Sequence, residues 1–197
     1  MADLQKAAQA LIDRGFEVKT FATGAEAAAY LNEVIDGKTV GFGGSITTQQ
    51  LGLYESLEKH NEVHWHWVNG PTERAVSANA QIYITSANGL AETGEIVNID
   101  GAGNRVASTL FGHEKVYFVI GKNKVAPSYD EAVWHARNVA APKNAQRLKM
   151  QTPCAVNGDR CYDCKSPNRI CRALVTLWGP VMGLPTEVIL VDEELGY

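Results

Sequence analysis

Apolar positions along the first two thirds of the chain switch between two periods. Leu4, Ala7, Ala8, Leu11 and Ile12 repeat at helical spacing, and Gly15 follows where a helix ends, which predicts a helix over roughly 3–14. Phe16 to Phe21 alternates apolar and polar residues, as a half-buried strand does. Thr23-x-x-Glu26 has the form of a capping box ahead of Ala27, Tyr30, Leu31 and Val34, so a second helix is expected. Next, Val40-Gly-Phe-Gly-Gly-Ser45 runs from strand into turn, Ser45 caps a helix carrying Ile46, Leu51 and Leu57, and a strand is expected at Val63–Val68. A helix with Pro71 in its first turn and a short strand at Ile82–Thr85 follow. Val116 to Ile120 is apolar without a break, the pattern of a central strand covered on both faces. Ser128-x-x-Glu131 opens a stripe of Ala132, Val133, Ala136, Val139 and Ala140 that Pro142 is expected to end, and Val188–Val191 supplies a last buried strand.

Strands alternating with helical stripes predict an α/β fold with a mostly parallel, doubly wound sheet flanked by helices. Residues 149–169 carry neither period, and unstructured stretches of that length inside a compact unit are usually functional or disordered. The expected organisation is one domain over 1–197: an α/β scaffold at 1–148, a cysteine-rich loop at 149–172 and a C-terminal strand region at 173–197.

Composition narrows the partners. A formal charge of -4 argues against nucleic acid, whose binding requires a basic face. No stretch approaches 18 consecutive apolar residues, and the N-terminus lacks a basic segment leading into an apolar one, so the expectation is a cytoplasmic protein without a membrane partner. A symmetric homo-oligomer is the default for such a protein.

Three constellations carry chemistry. All four cysteines fall within 18 residues, as Cys154-x6-Cys161-x2-Cys164-x6-Cys171. In a reducing compartment such clustering points to metal or redox chemistry, with an iron-sulfur cluster ahead of zinc, and Arg160, Lys165, Arg169 and Arg172 would offset the negative charge of a filled site. Reduced thiols with no metal, or thiols paired opportunistically, are the plain alternative. Gly43, Gly44, Ser45 and Thr47, between a strand and a helix, can present backbone and hydroxyl donors to an anion, yet Ile46 replaces the third glycine of a dinucleotide fingerprint. A tight turn that needs glycine only for its geometry fits equally well. The stretch from Ser86 to Arg105 offers Asn88, Thr93, Asn104 and Arg105 as ligand-binding groups and Glu92 as base or nucleophile, or else two hairpin turns bearing surface charges. His64 and His66 are expected on one face of a strand, with Trp65 and Trp67 on the other.

Several of these segments, taken in order, resemble the LUD (lactate utilization) domain family, the family of lactate-utilisation proteins B and C. The resemblance rests on Gly41-Phe-Gly-Gly-Ser45, Ser86-Ala-Asn88, Ala91-Glu-Thr-Gly94, Asp100-Gly-Ala-Gly-Asn-Arg105, Val119-Ile-Gly-Lys-Asn123 and Arg137-Asn-Val-Ala-Ala-Pro142-Lys-Asn144. Thr152-Pro-Cys154 through Cys171-Arg172 resembles a short, stand-alone branch with a four-cysteine motif. The resemblance implies a fold like the ribose-5-phosphate isomerase and CoA-transferase group, and a part in oxidising lactate to pyruvate alongside other iron-sulfur redox proteins. It also implies a pocket for a small carboxylate or phosphate metabolite above the sheet. Three functions therefore stand side by side: a redox component of organic-acid utilisation, a non-redox isomerase- or CoA-transferase-like enzyme on a phosphorylated sugar or acyl thioester, and a ligand-binding redox sensor.

Overall fold

A computed structural model describes residues 3–197. In chain order its strands are β1 (Glu17–Phe21), β2 (Thr39–Phe42), β3 (Glu62–His64), β4 (Ile82–Thr85), β5 (Gly89–Ala91), β6 (Ile96–Asp100), β7 (Lys115–Gly121), β8 (Val125–Ala126), β9 (Ala173–Leu177) and β10 (Thr186–Val191). The helices are α1 (Leu4–Asp13), α2 (Gly24–Val34), α3 (Ile46–Gln50), α4 (Leu53–Leu57), α5 (Glu73–Ser77), α6 (Asn104–Ser108), α7 (Tyr129–His135), α8 (Ala141–Arg147) and α9 (Pro153–Asn157).

Six strands form a parallel sheet in the order β1-β10-β7-β4-β2-β3. β7 and β10 are buried along almost their whole length, as their unbroken apolar runs predicted. The two faces separate at strand period. Tyr117, Val119, Ile189, Val191, Ile82 and Ile84 pack toward Leu31, Ile35, Leu53 and Leu57 of the α2 and α4 side. Val116, Phe118, Ile120, Val188, Leu190 and Tyr83 pack toward Ala7, Ala8 and Leu11 of α1. α1 spans only part of that second face. The rest is closed by Leu90, Ile96 and Leu177 of a four-stranded mixed sheet, order β8-β5-β6-β9, whose outer side packs Ala91 and Val97 against Ala132 and Ala136.

Local rules explain most boundaries. Asp3 caps α1, Thr23 and Glu26 complete the capping box of α2, and Ser128 accepts from the Glu131 amide at the start of α7. Four expectations are corrected. The single helix expected after Ser45 is broken into α3 and α4 by Gly52, which adopts φ +59° between them. β3 stops at His64, so His64 and His66 do not share a strand face, and Trp65 and Trp67 stack on each other at 5.1 Å. α5 starts at Glu73, leaving Pro71 in the preceding turn. Pro142 does not end the α7 stripe: a π-helical turn at Ala136–Ala140 widens the spiral and Pro142 enters the first turn of α8, where its missing N–H costs no hydrogen bond. β9 lies in the C-terminal strand region, but in the mixed sheet and not the parallel one.

Candidate functional site

The carboxyl ends of β2, β4 and β7 point to one side of the parallel sheet, where open α/β folds bind ligands. The chain leaving β2 runs through Gly43, Gly44 and Ser45, the chain leaving β4 through Ser86 and Asn88, and the chain leaving β7 through a 3-10 turn, Lys122–Lys124. Together with Asp100, Asn104 and Arg105 from the end of β6 and the start of α6, they line a cleft of about 410 Å³. The opposite wall comes from Asn144 and Arg147 of α8 and from Arg169 and Arg172 of the cysteine segment, with Tyr197 at the edge.

The electrostatics of this cleft oppose those of the chain. Arg74, Arg105, Lys124, Arg147, Arg169 and Arg172 line it against one carboxylate, Asp100. That carboxylate is already engaged, accepting from the amides of Ala102, Arg105 and Val106 at the start of α6.

Lys124 lies at the floor, 3% exposed. Its Nζ donates to Thr47 Oγ1 and Ser86 Oγ, each at 2.9 Å, and Thr47 in turn donates to the Leu195 carbonyl at 3.2 Å. Among the described residues it has no carboxylate partner. Burial, and after it the Arg105 charge, push the amine down to about 7.

Arg105 is half-buried and held in a different manner. Nη1 donates to the Ser86 carbonyl at 3.1 Å and to Asn98 Oδ1, while Nη2 donates to Asn88 Oδ1 at 2.9 Å and to the Ile99 carbonyl at 2.6 Å. All four terminal N–H groups are spent on the protein, so the residue clasps the ends of β4 and β6 and lends the cleft its charge. The glycines of the β2 turn are explained by this packing. A Cβ on Gly43 would stand 2.9 Å from the Arg105 side chain and 2.7 Å from Thr85 Oγ1, and one on Gly44 would press the Trp67 ring at 3.1 Å. Ser45 caps α3 by accepting from the Thr48 amide.

Of the residues proposed from sequence, Gly44, Ser45, Asn88, Asn104 and Arg105 line the cleft, and Gly43 and Thr47 support it from behind. Glu92 and Thr93 stand at the far end of β5 from Asn88 and outside the cleft. Glu92 accepts from Lys6 Nζ and from the Asp3 amide, each at 2.7 Å, and so fastens the start of α1 to the mixed sheet. These bonds hold its carboxyl below the ordinary carboxylate value. A depressed carboxyl stabilises the fold above its unfolded value, and that contribution is lost as pH falls through the folded value. Hydrogen-exchange protection factors in the first turn of α1 are therefore expected to fall on acidification through this range in the wild type and to stay flat in Glu92→Gln; parallel profiles would contradict the tether.

The four thiols remain free and partly buried. Arg137 reaches Cys161 Sγ at 3.9 Å, Arg169 reaches Cys171 Sγ at 3.4 Å, and Cys154 lies in α9 beside Thr152. Among the described residues, no three Cys, His, Asp or Glu side chains converge as a metal-binding group. Cys161 and Cys171 line a smaller cavity that shares Ile99, Ala141, Arg169 and Arg172 with the cleft.

The family model of the LUD domain matches residues 4–191. The chain belongs to the LUD domain family. That family is associated with lactate utilisation. This LUD domain is similar to the crystal structure of a DUF162 family protein from Deinococcus radiodurans, with a TM-score of 0.56 over 95% of each chain and 14% identity, a likeness of fold alone. No curated protein matches it in sequence. Among its described residues, no helix is long and apolar enough to cross a membrane. Sequence reasoning passed over Lys124, Arg74 and Arg147, although the position of Lys124, three residues past the end of the central strand, is where such folds place ligand-binding groups.

Proposed function

We propose that this LUD domain is an enzyme of organic-acid metabolism that binds a small carboxylate or phosphate compound in the cationic cleft. One observation carries the reading: Lys124, buried at the cleft floor, and Arg105, half-buried beside it, form no salt bridge among the described residues. Buried charges are costly unless paired, and an incoming anion supplies the missing partner. Arg147, stacked 4.4 Å over the Trp67 ring, and Arg172 stand at the wall with planar donors suited to a carboxylate or a phosphate. The thiols lie outside the cleft, so this reading does not depend on what they bind.

Titration calorimetry with lactate, pyruvate and inorganic phosphate tests it. Binding of at least one anion is expected, weakening as salt rises and falling about tenfold or more in Arg147→Ala and in Arg172→Ala, as the loss of a charge-assisted hydrogen bond implies. If none of the three binds, or if neither substitution alters binding, the reading fails.

A further inference from the structure

The environment of Lys124 is more specific than an anion site requires. A cation placed only to attract an anion works best when held at full charge, beside a carboxylate or with access to water. Lys124 has neither: two hydroxyls receive its hydrogen bonds, the charged neighbour Arg105 repels it, and the C-terminal backbone closes in so tightly that a Cβ on Gly196 would stand 3.2 Å from Nζ. An amine that donates one hydrogen to Thr47 and one to Ser86 has used two of its four tetrahedral positions, and its own Cε occupies the third. The fourth holds the nitrogen lone pair, and the cleft is the space Lys124 lines.

We infer that Lys124 is a nucleophile that forms an imine with the carbonyl carbon of a small anionic aldehyde or ketone, whose carboxylate or phosphate is held by the arginines of the cleft wall. This rests on the anion-binding reading and deepens it by assigning the class of substrate. The neutral amine attacks the carbonyl carbon, a C–N bond forms, and the carbonyl π pair moves to oxygen, which takes up a proton. The resulting carbinolamine loses the nitrogen-bound proton and its hydroxyl group as water. Amine plus carbonyl becomes imine plus water, with no oxidant, reductant or further reactant. Desolvation beside a second cation leaves a large share of the amine unprotonated near neutral pH, a known way to make a lysine nucleophilic. The imine then serves as an electron sink for breaking a bond at the adjacent carbon.

Trapping settles it. The protein is incubated separately with pyruvate, which carries a carboxylate, and with dihydroxyacetone phosphate, which carries a phosphate. Cyanoborohydride is present to reduce any imine to a stable secondary amine, and peptides are read by mass spectrometry. With at least one probe, a single adduct is expected on Lys124, at least tenfold above any other of the ten lysines, suppressed by excess inorganic phosphate and missing from Lys124→Met. The probe that reacts identifies the anionic group. Calorimetry on the same samples separates the two claims. If a probe binds and Lys124 stays unmodified, the imine is overturned and the anion site stands. If Lys124 is modified and phosphate does not compete, the imine stands and the arginine cradle is wrong. If neither probe binds and no adduct forms, both fall.

Discussion

Replacing Lys124 by methionine is expected to make the ligand-free protein more stable while removing its imine chemistry. The substitution takes an unpaired buried cation out of the interior and leaves a side chain of similar length. Exchanging buried charges for apolar groups of similar volume commonly gains about 1–4 kcal/mol. The two hydroxyls left behind, Thr47 and Ser86, can rotate, and Thr47 keeps its bond to the Leu195 carbonyl, so few polar groups are orphaned. The pH dependence gives the sign. With the native amine lowered to about 7, the unfolded chain holds a proton that the native state lacks from there up to the ordinary lysine value. Wild-type stability therefore rises with pH across that window through this group, and the advantage of Lys124→Met is level below about 7 and shrinks above it. His135, lowered by burial and by the Lys124 charge, is neutral in that window. Urea unfolding of both proteins at a series of pH values measures the gap. A less stable methionine variant would mean that Lys124 is a structural pillar.

Arg105→Ala is expected to do the reverse, although it too removes a cation from the cleft floor: at about 1–3 kcal/mol for each acceptor left without a donor, stability should fall by about 3–5 kcal/mol. The difference lies in what is left behind. Two backbone carbonyls, Ser86 and Ile99, and two amide oxygens, Asn88 and Asn98, lose the guanidinium at once; Asn88 keeps the Ile99 amide as a donor, but a carbonyl, unlike a hydroxyl, has no hydrogen to offer a neighbouring acceptor. Arg105→Lys keeps the charge but presents its donors from one point, so it should fall between the two. Urea midpoints at constant m-value test the order. A loss below about 1 kcal/mol in the alanine variant would show that water replaces the guanidinium, and that the ends of β4 and β6 need no clasp.

The parallel sheet was legible because its signals are local. Capping residues at Thr23, Ser45 and Ser128 act within one turn, and the apolar runs of β7 and β10 report burial on both faces whatever covers them. The mixed sheet was not, since β5 and β8 have only three and two residues and β9 passes from exposed to buried along its length without alternating, too little for a period to show. The site divided in the same way. Asn88, Asn104 and Arg105 were found because polar residues near glycine turns stand out along a chain. Lys124 did not stand out, because a lysine between Asn123 and Val125 reads as surface until the fold encloses it. Glu92 drew attention as a carboxylate in a polar stretch, and only the packing of α1 shows that Lys6 and the Asp3 amide claim it.

The order of strands also sets a timetable for synthesis. β1 pairs only with β10, and 164 residues lie between Phe21 and Thr186. At roughly 5–20 residues per second, a ribosome needs about 10–30 s to cover that distance. Throughout that interval β1 has no strand neighbour in the parallel sheet, and once β7 is made the edge of it that β10 will cover lies open. The nascent chain must be shielded or must wait, and a ribosomal pause between β7 and β10 would prolong its exposure to aggregation more than the same pause placed anywhere earlier.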